Sequence, residues 1–295
     1  MIDESIGFRL LAILFPIFGI VAAGYFYARH HKPEMAVANR LNMDVFVPVL
    51  VFAAMAGKSF DLVAFGPLAL GGFLVLASCG LLAWPIARLI GIQPKTLVPP
   101  MLFNNSGNIG LPLAVLAWGE GALPAAVILF MVENTLHFSL GARLLDSKTR
   151  LLTLWRVPVV FAAIAGLTVA TLKIPIWPPV VIAIKMLGDV SVPLLLFSLG
   201  VRMTHVSFGE WKLATVSAIV RPLAGMLIAV GVIELLGLQG LQAAMLLVFG
   251  ALPPAVLNFL FAERYKQEPE RVASIVLIGN LAALLFLPLA LMLVL

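Results

Sequence analysis

Charge is scarce in this chain. Asp, Glu, Lys and Arg together make up 11% of its 295 residues, against 62% hydrophobic, and the mean hydropathy is +1.10. Soluble globular domains carry about 25% charged residues, so the soluble classes are excluded. Cysteine is almost absent. Cys79 alone rules out a disulfide framework and a thiolate metal site, and His30, His31 and His205 fall at loops without ligand spacing. Nucleic acid binding finds no basic tract to rest on; the formal charge of +5 is spread among loops. A positively charged leader is also missing, because Asp3 and Glu4 precede the first apolar run, so that run is expected to stay in the mature chain.

What is present is a series of long apolar runs, at 8–28, 35–56, 68–90, 97–118 and 123–145, then 152–172, 177–201, 213–236, 241–262 and 272–295. A membrane-spanning helix needs about 20 apolar residues, so the expectation is an all-α polytopic protein of ten spans. The linker 146–150 divides it into a first five-helix unit, 1–146, and a second, 147–295. With the amino terminus outside, fourteen of the nineteen Lys and Arg residues lie on the inner side, the bias that sets topology. Both termini are then expected outside a plasma membrane, in bacteria the inner one, with the bilayer as the standing partner.

One stretch breaks the apolar pattern. Asn104-Asn105-Ser106-Gly107-Asn108-Ile109-Gly110 has flanks that make one span together and none separately. It reads as a single helix unwound at mid-depth, allowed only where freed backbone groups face protein or a water-filled cavity. Such interruptions mark transporter binding sites. The ninth run carries its own, Pro253-Pro254, where two donors are lost and the preceding turn is obstructed. Sliding the chain against itself relates the two. At an offset of 145, Asp44-Val45-Phe46-Val47-Pro48 to Phe52 falls on Asp189-Val190-Ser191-Val192-Pro193 to Phe197, Arg40 on Lys185, and Asn108-Ile109 on Pro253-Pro254. Repeats with an odd number of spans must insert in opposite orientations, which predicts a five-plus-five inverted repeat with crossed broken helices 4 and 9. Half-helix amino ends, each with about half a positive charge, would then meet in one space and favour an anion. Candidate substrate ligands are Asn104, Asn105, Ser106, Asn108, Pro253, Pro254 and Asn258, with Arg221, a charge that must meet a carboxylate, carbonyls or the substrate.

Phe103 to Leu113, F-N-N-S-G-N-I-G-L-P-L, and Ala251 to Glu270, A-L-P-P-A-V-L-N-F-L-F-A-E-R-Y-K-Q-E-P-E, resemble the two crossover segments of the auxin efflux carrier family. That family includes plant auxin carriers and bacterial transporters of malonate-like organic acids. The resemblance implies a secondary active carrier of an elevator type, with a sodium/proton-antiporter-like or bile-acid-symporter-like fold. Helices 1, 2, 6 and 7 would form the scaffold, and 3–5 and 8–10 the moving transport domain. A homodimer through the scaffold is compatible with this plan. Unlike the plant members, this chain has no long hydrophilic central loop, and the inferred substrate is a small mono- or dicarboxylate.

Ionisable residues within spans need a reason, since each costs ~2.5–3.5 kcal/mol at the bilayer centre on insertion scales. Glu133 and His137 lie one turn apart on one helix face, with Asn134 beside them, and are candidates for coupling to H+ or Na+, the only cofactor expected. Asp44 and Asp189 are further coupling candidates, each with a cation four residues earlier that would neutralise it. A cation/proton antiporter is the alternative transport reading. An intramembrane aspartyl protease would use Asp44 and Asp189 to activate water, but Met43-Asp44 and Met186-Leu187-Gly188-Asp189 do not match the patterns of such enzymes. The chain is therefore expected not to be an enzyme.

Overall fold

The computed structural model describes residues 6–57, 62–146, 158–205 and 210–295. Asp3, Glu4, Lys58, Lys148, Arg150 and Arg156, which entered the charge argument, lie outside the described residues, as does the side chain of His205. In chain order the helices are α1 (Ile6–His31), α2 (Ala36–Met55), α3 (Val63–Leu89), α4 (Pro94–Leu102), α5 (Ser106–Trp118), α6 (Glu120–Leu145), α7 (Pro158–Thr171), α8 (Pro178–Arg202), α9 (Trp211–Leu236), α10 (Gly240–Ala251), α11 (Leu257–Arg264) and α12 (Pro269–Met292). No strand occurs among the described residues. Seven of these helices are long and apolar enough to cross a membrane. The molecule is an all-helical, multi-pass membrane protein.

Hydropathy does not say which helices lie inside. α1 and α12 are similarly apolar, yet 22% of the most apolar stretch of the first and 56% of that of the second is buried. Lipid tails are as apolar as a protein core, so both surroundings select the same residues. Packing sorts the helices instead. α1, α2, α7 and α8 pack chiefly on one another, through α1 on α8, α2 on α7 and α2 on α8. The remaining helices form a second group, through α3 on α4, α3 on α6, α9 on α10, α9 on α12 and α3 on α9.

Close backbone approach, not bulky interdigitation, makes the main contacts. A Cβ added to Gly24 of α1 would stand 2.2 Å from the Phe197 carbonyl oxygen of α8, and one on Gly200 would stand 1.9 Å from that of Val21. A Cβ on Gly166 of α7 would stand 2.7 Å from the Phe52 carbonyl oxygen of α2. Phe52 and Phe197 close the two copies of the sequence motif, so α7 meets α2 as α1 meets α8. Small residues of this kind replace the hydrophobic drive that is missing between helices in lipid.

The motif copies differ in detail. Lys185 pairs with Asp189 at 3.7 Å on the regular turns of α8. The expected Arg40–Asp44 pair does not form, because Asn42–Phe46 is a π-helical turn whose wider spacing takes Asp44 out of the i,i+4 alignment that α-helical geometry provides.

Candidate functional site

The chain leaves helical geometry twice. α10 ends at Leu252 in an extended conformation, φ −58° and ψ 141°, because the residue before a proline is disfavoured in the α region. α4 ends at Phe103, φ −92° and ψ 121°, where Asn104 and Asn105 offer side-chain amides that compete with the helical ladder. The two breaks run antiparallel across each other. Asn104 pairs with Pro254 as an isolated bridge, Asn105 N–H donates to the Pro253 carbonyl at 2.7 Å, and Ala255 N–H donates to the Phe103 carbonyl at 3.0 Å. This corrects the register read from the sequence. The 145-residue offset sets Asn104 opposite Phe249, whose carbonyl accepts the Asn104 side-chain Nδ2 at 2.8 Å, while the backbone partner of Asn104 is Pro254 and not Phe249. Asn108-Ile109 are therefore not the counterparts of the two prolines.

Buried amides hold the crossing. Asn258 Nδ2 donates to the carbonyls of Phe103 at 3.2 Å and Ala255 at 3.0 Å. Asn105 Nδ2 donates to Asn280 Oδ1 at 2.8 Å, and Asn280 Nδ2 in turn donates to the carbonyls of Pro254 at 3.0 Å and Val276 at 2.7 Å. Asn280 was not singled out from the sequence; its signal was a lone amide in the apolar run 272–295. Asn104, Asn105, Ser106, Pro253, Pro254 and Asn258 are all buried here. Asn108 is half-buried, in the π-helical turn Ser106–Gly110 that opens α5.

Three ionisable side chains are buried beside the crossing. Glu133 of α6 faces His137 Nδ1 through Oε1 at 2.8 Å and accepts from Ser106 Oγ at 3.4 Å through Oε2. His137 is stacked on Phe103, with ring centroids 4.1 Å apart, and meets Phe261 edge-on at 5.0 Å. One aromatic from each broken segment thus grips the imidazole. Arg221 of α9 has no solvent exposure and donates through Nη1 to the Gly250 carbonyl at 2.6 Å, in the last turn of α10. Gly225 and Gly250 allow that approach, since a Cβ on either would stand 2.1 or 2.4 Å from the other's carbonyl oxygen.

Other sequence candidates lie elsewhere. Asn134 donates to the Phe130 carbonyl of its own helix. Asp44 and Asp189 are exposed, and Lys185 also pairs at 2.5 Å with Glu120. His30 and His31 are exposed at the end of α1. A small, half-open cleft runs along α5 between α6 and α10, lined by Ser106, Gly110, Trp118, Leu129, Phe249 and Leu252 among others. Ser106, its polar side chain, is the one that donates to Glu133.

Comparison with known proteins gives a family and a plant relative. The family described as "Membrane transport protein" matches residues 142–291. Auxin efflux carrier component 6 of Arabidopsis thaliana is 26% identical over 178 residues, covering 58% of this chain and 29% of the plant protein. The chain therefore spans under a third of the curated relative it matches. A family match over half the sequence places the chain in the auxin efflux carrier family of membrane transport proteins.

Proposed function

We propose that the protein is a secondary active transporter of a small organic anion, moving it by an elevator-type alternation of access. The observation that carries this reading is the crossing itself. Two helix breaks meet among buried amides, and a guanidinium with no solvent exposure stands behind them. Buried charge and unwound backbone are costly in a membrane and are retained where a solute is handled. The amino ends of α5 and α11 both begin at the crossing, and their dipoles favour negative charge. The relative's printed name, an auxin carrier, is compatible with an anionic solute.

A ten-span inverted repeat is part of this proposal, and the helix packing supports it. α1 on α8 is mirrored by α7 on α2, α3 on α4 by α9 on α10, and α3 on α6 by α9 on α12. The first packing group corresponds to a scaffold, and the second, which holds the crossing, to a moving transport domain. Glu133 is the coupling residue in this proposal, faced by Ser106, His137 and the charge of Arg221. A cation/proton antiporter is the second reading, favoured by the buried Glu133–His137 pair.

Thermal unfolding of the purified protein across a panel of mono- and dicarboxylates tests the anion reading. A ligand at 100 times its Kd adds about 2.7 kcal/mol. Stabilisation by at least one acid is expected, and no shift with any acid would refute the reading.

A further inference from the structure

Arg221 uses only one of its hydrogen-bonding edges. Nη1 is committed to the Gly250 carbonyl, while Nε and Nη2 are buried without a partner. These two nitrogens carry parallel N–H bonds on the same side of the guanidinium, which form the fork that matches the two oxygens of a carboxylate. No carboxylate among the described residues fills that fork. Glu133 is the acid close enough to interact with the charge of Arg221, but its two oxygens are engaged by His137 and Ser106. A buried guanidinium without an anion is strongly disfavoured, so the fork is built for a planar, two-oxygen anion from outside the chain.

We propose that the Nε/Nη2 edge of Arg221 is the seat of the substrate's carboxylate, gripped bidentately and aimed by the Nη1 bond to Gly250. The inference rests on the anion-carrier reading and sharpens it. Gly250 belongs to the last turn of α10, next to the break, so an occupied fork is tied through the guanidinium to the segment that crosses at Asn104–Pro254. A carboxylate is specified over its amide, which presents one acceptor and two donors to a fork that only donates. A monocarboxylate is specified over a dicarboxylate, because one guanidinium balances one charge and Glu133 is near.

The test is equilibrium titration of the purified full-length protein with indole-3-acetate and malonate, beside indole-3-acetamide, malonamide and chloride. Wild type should bind an acid, with indole-3-acetate ahead of malonate, and bind the amides and chloride at least tenfold more weakly. R221K keeps the charge and loses the fork, so acid affinity should fall by tenfold or more. C79D supplies a competing carboxylate from α3, where Cys79 is buried and within reach of the Arg221 charge, and it should likewise lose acid binding. The second variant decides the matter if R221K does not fold. Unchanged acid affinity in the folded variants, or equal binding of acid and amide by wild type, overturns the fork while leaving the carrier. So does loss of stability in R221K with probe affinity intact. Chloride bound as tightly as any acid would make the site one for a resident inorganic ion. No acid binding by wild type refutes the anion reading itself.

Discussion

At the scale of single residues, the crossing depends on amides that answer one another. Asn105→Ala removes the donor to Asn280 Oδ1 and leaves a buried acceptor unpaired, at a cost of ~1–3 kcal/mol. Its uptake should be lost while expression persists, as read by a transport assay beside a melting curve. Glu133→Gln is the second residue-scale prediction. If Glu133 must hold a proton before an anion enters, wild-type uptake should rise as pH falls. The Gln variant, which resembles the protonated acid, should still bind and should lose that pH response. Retention of wild-type pH and sodium dependence by Glu133→Gln would remove Glu133 from coupling. Part of this site was legible in the sequence. A polar run inside a span, a proline pair and an isolated acid with a histidine one turn on are visible, because each is expensive in lipid. Asn280 and the aromatic grip of Phe103 and Phe261 on His137 were not, because their partners come from distant spans and no local pattern encodes the pairing.

At the scale of helices, proline and glycine fix where the chain breaks and how closely it packs. Pro253→Ala adds an N–H where Pro253 now uses only its carbonyl, toward Asn105. It also lifts the constraint that holds Leu252 extended, so helix should propagate through the break and uptake should fall. Gly250→Ala would press a Cβ to 2.4 Å from the Gly225 carbonyl oxygen, whereas a Cβ on Gly231, further along α9, would have nothing within 4 Å. Overpacking of the first kind costs ~1–3 kcal/mol, and thermal unfolding should show a clear loss for Gly250→Ala and little for Gly231→Ala. The apolar runs placed the seven long helices, since length and hydropathy are imposed by the bilayer. The register between breaks was not readable from the motif offset, because the segments joining the motif helices to the breaks differ in length between the two halves. The π-helical turn at Asn42–Phe46 hid in the same way, since a one-residue change of helical period leaves hydropathy untouched.

At the scale of the whole molecule, the charge count and the packing groups make separable claims. Cysteines at residue 5 and near residue 119, in a Cys79→Ser background, should react with an impermeant thiol reagent in whole cells, and one at residue 148 should not. Labelling at 148 from outside would invert the topology. Glu120 and Lys185 join the first turn of α6, in the crossing group, to α8 in the other group. A reducible bifunctional thiol cross-linker bridging Glu120→Cys and Lys185→Cys should therefore stop uptake and release it on reduction, because an elevator movement has to separate these groups. Undiminished uptake by the cross-linked protein would exclude that movement. The account as a whole stands on the crossing as the place where an organic anion is carried. Its most direct test is uptake of radiolabelled indole-3-acetate and malonate into proteoliposomes of the wild-type protein and of Asn105→Ala, with internal pH and sodium followed in parallel. The account predicts time-dependent entry of at least one acid by wild type and none by the variant. Exchange of protons against sodium with no entry of either acid would contradict it.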